Sequence, residues 1–102
     1  MKKLFVVLNL LLSVTILFAQ NPIAVKGKVT DSANGEPIPG VSVLIKGTNT
    51  GLITDFDGNY SIQAAGNSTL VFSFIGMKTK EVEVNNSTLI NVSLETSTEM
   101  VD

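Results

Sequence analysis

Two carboxylates stand two residues apart in TDFDGNYSI, Thr54 to Ile62, beside a glycine and an asparagine. Asp55 and Asp57 at that spacing suit either calcium ligation or a pair of acid-base carboxyls, and each option makes checkable demands. A calcium loop of the EF-hand type needs acidic or amide ligands at positions 1, 3 and 5, glycine at 6 and a bidentate glutamate at 12. Counted from Asp55, Gly58 falls at position 4 and Gly66 at position 12, so the bidentate ligand is missing. A catalytic pair needs two carboxyls that converge on a pocket with their pKa values pushed apart. Asp55 and Asp57 are instead near neighbours on a short glycine-containing turn. The whole chain has no His and no Cys to act as base, nucleophile or transition-metal ligand. Asp-Gly between two alternating segments is a strong hairpin signal, because glycine accepts the positive φ that such turns require. The expectation is a plain hairpin turn, with no catalytic residue, no cofactor site and no metal site.

Other polar groups are weaker candidates. Asn-x-Ser/Thr sequons occur at Asn59, Asn67, Asn86 and Asn91, a glycosylation signal in a eukaryotic secreted protein, but asparagine-rich turns explain them more simply. Tyr60, Phe72 and Phe74 could line a sugar platform, although aromatics alternating along a strand are far more often core. Glu81 and Glu83 with Lys78 and Lys80 read as a solvated strand face whose charges discourage edge-to-edge pairing.

The elements that must position these residues are strands. From Ala24 onward apolar and polar residues alternate with period two. AVKGKVT puts Val25, Gly27 and Val29 on one face, and VSVLIKG puts Val41, Val43 and Ile45 inward with Leu44 opposite. GLITD is short, and YSIQA presents Tyr60 and Ile62. TLVFSFI presents Leu70, Phe72 and Phe74, KEVEV presents Val82 and Val84, and LINVSL presents Ile90, Val92 and Leu94. Between them NGEPIPG, KGTNTG, DFDGN, AAGNS, IGM and NNS supply turn residues. Pro22, Pro37 and Pro39 fall outside the strand interiors, where a missing N–H would cost a ladder bond. About seven short strands at this spacing predict an all-β, Ig-like sandwich without helix or internal repeat.

The first residues are different. Lys2 and Lys3 precede an apolar run from Leu4 to Phe18 that closes on the small Ala19, the layout of a cleaved signal peptide over residues 1–19. The run is shorter than the roughly 20 apolar residues of a membrane span. Cleavage after Ala19 leaves 83 residues starting at Gln20, one small domain over 20–96 followed by a polar linker at 97–102. Loss of the two leading lysines takes the net charge from −2 to −4. A mildly acidic surface argues against nucleic acid as partner. With no Cys, the exported chain has no disulfide, so its core alone must hold the fold.

Residues 27–62, GKVTDSANGEPIPGVSVLIKGTNTGLITDFDGNYSI, form one spaced string that resembles the carboxypeptidase D regulatory-like domain. The resemblance is carried by Gly27, Val29 and Asp31, then Gly35, Pro37, Pro39, Gly40 and Val41. It continues through Lys46, Gly47, Thr48 and Gly51 to Thr54, Asp55, Asp57, Gly58 and Tyr60. LVFSFIGMKTKEVEV, Leu70 to Val84, resembles the family's fifth and sixth strands. Leu52, Phe74 and Met77 depart mildly from the family pattern. The resemblance implies a seven-stranded transthyretin-like sandwich without the zinc ligands of the carboxypeptidases it is named after. More narrowly, the string is similar to the N-terminal module of SusC/RagA-type TonB-dependent outer-membrane transporters of Bacteroidota. That implies a non-enzymatic domain at the periplasmic face of the outer membrane, ahead of a TonB-box region, a plug and a barrel, in importers of glycans or peptides. The implied partners are that downstream plug and barrel and, through the whole transporter, the TonB system or a SusD-like surface lipoprotein. A free-standing exported module that binds carbohydrate or peptide is the other reading. Asp31-Ser32-Ala33 also matches the Asp-Ser/Thr-apolar pattern on which exported proteins of this group carry O-glycans, although an ordinary loop opening at Ser32 is the plainer reading.

Overall fold

The computed structural model describes residues 21–97. The signal-peptide reading of residues 1–19 and most of the linker reading of 97–102 lie outside the described residues. Seven strands follow one another: β1 (Ile23–Asp31), β2 (Ser42–Ile45), β3 (Gly51–Ile53), β4 (Asn59–Ala64), β5 (Thr69–Ser73), β6 (Lys80–Glu83) and β7 (Val92–Leu94). No helix occurs among the described residues. The strands form two sheets, one ordered β4-β1-β7 and the other β3-β2-β5-β6, as the seven alternating segments predict.

Alternation explains the layering directly, since successive side chains on a strand point to opposite faces. In β1, Val25, Gly27 and Val29 are buried while Lys26 and Lys28 are exposed; in β4, Tyr60, Ile62 and Ala64 are buried between exposed Asn59, Ser61 and Gln63. These residues meet Val41, Val43, Leu70, Phe72 and Val84 of the opposite layer, and Val92 and Leu94 of β7, in one core. Tyr60 and Phe72 pack edge to face across it, ring centres 5.4 Å apart, a geometry favoured by the ring quadrupoles.

β1 is the hinge of the topology. Over Ile23–Lys28 it pairs antiparallel with β4, and over Val29–Asp31 it pairs parallel with β7. In the second sheet β2 sits between β3 and β5, with Val43 opposite both Leu52 and Phe72. β6 pairs only with β5 and is an edge strand, as its charged residues suggest. Lys46 bridges to Glu81 at 3.0 Å, and Lys78 to Glu95 at 3.7 Å;. Both pairs are exposed, so each adds little stability.

One expectation needs correcting. β3 and β4 lie in different sheets, so the Asp55–Gly58 turn joins two layers and closes no hairpin. Period-two patterning marks each flanking strand but does not say which sheet it enters.

Candidate functional site

The motif residues of the sequence gather along β1 and the turns that lean on it. At the centre is Gly27, where a Cβ would overlap the carbonyl oxygen of Ile90 and stand 2.6 Å from its carbon. Glycine in a strand interior marks such a close backbone approach. The buried Tyr60 phenol, 5% exposed, donates to that same oxygen at 2.6 Å.

The reason lies in the parallel ladder. The Lys26 N–H donates to Thr88 O at 3.0 Å and Lys26 O accepts from Ile90 N–H at 2.8 Å, so the Lys28 N–H should next reach Ile90 O. The Ile90 carbonyl is instead turned inward over Gly27 to Tyr60. Asn91 Oδ1 takes its place and accepts from the Lys28 N–H at 2.9 Å. The strand expected over LINVSL is therefore interrupted at Ile90 and Asn91, and β7 begins only at Val92. Asn91, read from sequence only as a sequon, is a ladder substitute. Burial pushes the Tyr60 phenol up to about 12, because the low-dielectric core disfavours the phenolate.

A second cluster closes the Asp31 end of the sandwich. Asp55 Oδ1 accepts from both the Asp57 and Asn59 N–H groups at 2.9 Å, so that carboxylate oxygen is committed to its own turn. Gly58 adopts φ 76°, and its carbonyl accepts from the Val29 N–H at 2.9 Å. A Cβ there would meet Val29 O at 2.7 Å and Pro37 Cβ at 3.0 Å. Thr54, the buried polar residue of the core region, accepts from the Val41 N–H at 2.9 Å and donates to Ile38 O at 2.7 Å. It ties the Pro37–Val41 loop to the start of the turn.

The remaining motif residues are scattered over other loops. Asp31 accepts from Gly35 N–H through its carbonyl and from Ala33 N–H through its carboxylate. Gly40 N–H donates to Thr54 O, and Lys46 and Gly47 open the β2–β3 loop ahead of Gly51. Ser32 is exposed, with its N–H held by Leu94 O at 2.9 Å. Of the aromatics considered as a sugar platform, Tyr60 and Phe72 are in the core and Phe74 packs against it.

On the outward face of the β4-β1-β7 sheet, Lys26, Lys28 and Thr30 run down the middle of an open groove flanked by Asn59, Ser61 and Ser93. Lys26 and Lys28 make no ion pair among the described residues. No group of three or more metal-ligating side chains occurs among them either. What most of the motif residues do chemically is hold backbone: they cap amides, accept ladder bonds and admit close crossings, whereas Lys46 pairs with Glu81 and the Asp57 side chain is exposed on its turn.

A family model for the CarboxypepD_reg-like domain matches residues 25–102. The chain belongs to that family. This CarboxypepD_reg-like domain is 47% identical over 85 residues to the TonB-dependent receptor SusC of Bacteroides thetaiotaomicron, covering 83% of this chain and 8% of that protein. It is 50% identical over 66 residues to the TonB-dependent receptor P26 of Formosa agariphila, covering 65% of this chain and 7% of that one. The chain thus spans less than a tenth of the length of these curated relatives. Among solved structures, the backbone protein of pilus 2b from group B streptococcus aligns with a TM-score of 0.49 and 14% identity, over 78% of this chain and 42% of that one.

Proposed function

We propose that this chain is the N-terminal module of a TonB-dependent, SusC-type outer-membrane importer for glycans or peptides. On this reading residues 1–19 are a cleaved leader, residues 20–96 lie at the periplasmic face of the outer membrane, and residues 97–102 lead toward a plug and barrel. The module couples or assembles the transporter and carries out no chemistry. The observation that carries the reading is the match of nearly the whole sandwich to a small segment of a TonB-dependent receptor. The local chemistry agrees with it: the carboxylates of Asp31 and Asp55 and the hydroxyls of Thr54 and Tyr60 are engaged with backbone, and the chain lacks His and Cys altogether. Fold alone does not fix function, so the partners, including TonB or a SusD-like lipoprotein, belong to this proposal.

The test is genetic. The native reading frame should continue past Asp102 into a plug and into alternating strands of about 9 to 11 residues, the length that spans an outer membrane. Deleting residues 23–96 from that gene should leave a barrel in the outer membrane and impair growth on its nutrient. A stop codon after Asp102, together with glycan or peptide binding by the purified chain alone, would replace this reading with the free-standing binding module.

A further inference from the structure

We infer that the β1–β7 seam is a mechanical clamp, so that the module resists a pull on the chain at Ser97. The first and last strands lie side by side and parallel, Val29–Asp31 against Val92–Leu94, which puts the start of β1 and the end of β7 at opposite ends of the seam. A pull on Ser97, opposed by a grip near the start of β1 or on the far end of the sandwich, acts along the strands. The cross-strand bonds are then loaded together in shear, whereas a pull across the strands would open them one at a time.

The seam is built for more than its three paired residues. Upstream of β7, Thr88 O and the Ile90 N–H hold both polar groups of Lys26, and Asn91 Oδ1 holds the Lys28 N–H. The Ile90 carbonyl, freed from the ladder, is pinned by Tyr60 from β4, so a third strand also resists sliding. Gly27 removes the side chain that would keep this carbonyl out. Downstream, Ser32 N–H holds Leu94 O, Lys78 N–H holds Glu95 O at 2.8 Å, and Ser97 N–H holds Gly76 O at 2.9 Å. The exit is thereby tied to the second sheet as well. Each bond contributes modestly at equilibrium, but forced unfolding follows the rate of crossing a barrier. Bonds that must break together raise that barrier more than the same bonds broken in turn.

The clamp's use in the cell rests on the proposed function, since it needs further protein beyond Ser97; the measurement below does not, so the two can fail separately. The chain has no cysteine of its own, so handles can be placed at will on the purified chain. Asn21→Cys with Ser97→Cys loads the seam in shear, and Ala33→Cys with Ser97→Cys loads it from one end. Single-molecule force spectroscopy at one loading rate should give a severalfold higher unfolding force for the first pair, with equal chemical-denaturation midpoints for the two. Tyr60→Phe and Asn91→Ala should lower the force for the 21/97 pair by a larger fraction than for the 33/97 pair. Equal forces in the two geometries, or a loss from Tyr60→Phe that is the same in both, would overturn the clamp.

Discussion

Gly27→Ala isolates the crossing on which the β7 end of the first sheet depends. The added methyl cannot coexist with the Ile90 carbonyl where it stands, so that segment must move off β1. The motion removes the bond from Tyr60 and leaves a buried phenol unpaired, costing about 1 to 3 kcal/mol. It also disturbs the neighbouring bond from Ile90 N–H to Lys26 O, worth roughly 0.5 to 1.5 kcal/mol. The stiffer unfolded chain of alanine returns about 0.4 to 1 kcal/mol. At the middle of these ranges the net loss is about 2 kcal/mol, which in a domain of this size lowers Tm by roughly 8 to 16 °C. Total stability for such a chain is on the order of 4 to 12 kcal/mol, so the variant still folds and can be measured. Urea denaturation followed by circular dichroism should be run on Gly27→Ala, Tyr60→Phe and the double variant. Both substitutions act through one carbonyl, so their costs should sum to more than the cost of the double by about 1 kcal/mol. A Gly27→Ala cost below about 0.5 kcal/mol, or strict additivity, would show that Ile90 is free to move and refute the crossing.

Two further outcomes follow from the same geometry. Tyr60 is the one tyrosine of a chain without tryptophan, so absorbance at 295 nm titrates it alone. Its folded pKa, about 12, exceeds the unfolded value near 10, so its contribution to stability is complete below pH 10 and is lost as pH rises toward 12. Tyr60→Phe should remove that part of the alkaline loss, and a phenol titrating near 10 in folded protein would contradict the buried bond. Gly58→Val should cost at least ~1 to 3 kcal/mol, since it strains a positive φ and presses on Val29 O, whereas added calcium should leave Tm unchanged. A calcium-dependent rise abolished by Asp57→Asn would make the turn a metal site after all.

The strands were legible because this fold buries one face of each, and the buried sets Val25/Val29, Tyr60/Ile62/Ala64 and Leu70/Phe72 follow the alternation residue by residue. The turns were legible from glycine, asparagine and aspartate; Asn85 and Asn86 take positive φ values of 50° and 61° in the NNS turn. Pairing partners were not legible, because period two assigns a face and not a neighbour, and so a sheet-to-sheet turn at Asp55–Gly58 looked like a hairpin. The interruption at Ile90 was hidden for a different reason. Ile90, Val92 and Leu94 keep perfect alternation, while the departure is in the backbone, where an asparagine side chain replaces a carbonyl. The one signal available was Gly27 itself, a lone glycine inside an alternating strand. Thr54 stood in the motif string, but a buried hydroxyl shared between two loop backbones leaves no mark in periodicity.

The direction of the terminal strands decides what kind of module this is. An antiparallel first and last strand would bring both termini to one end, and the domain would hang from the chain as a side branch. Here β1 begins at Ile23 and the parallel β7 ends at Leu94 beside Asp31, so chain entry and exit are separated by the length of β1, roughly 25 to 30 Å at the usual strand rise. The domain is therefore crossed end to end. Its two ends also differ in chemistry. Around the entry lie the β2–β3, β4–β5 and β6–β7 loops, made largely of Gly, Asn, Ser and Thr, with Leu89 of the β6–β7 loop, 67% exposed, as their one exposed large hydrophobic. Around the exit lie the Asp55–Gly58 and Phe74–Met77 turns, which leave Phe56 86% and Ile75 89% exposed, with Ile53 at the end of β3 67% exposed. Three of the four exposed large hydrophobics among the described residues, Ile53, Phe56 and Ile75, thus gather at the end of the sandwich where β7 finishes, interleaved with the exposed carboxylates of Asp55 and Asp57.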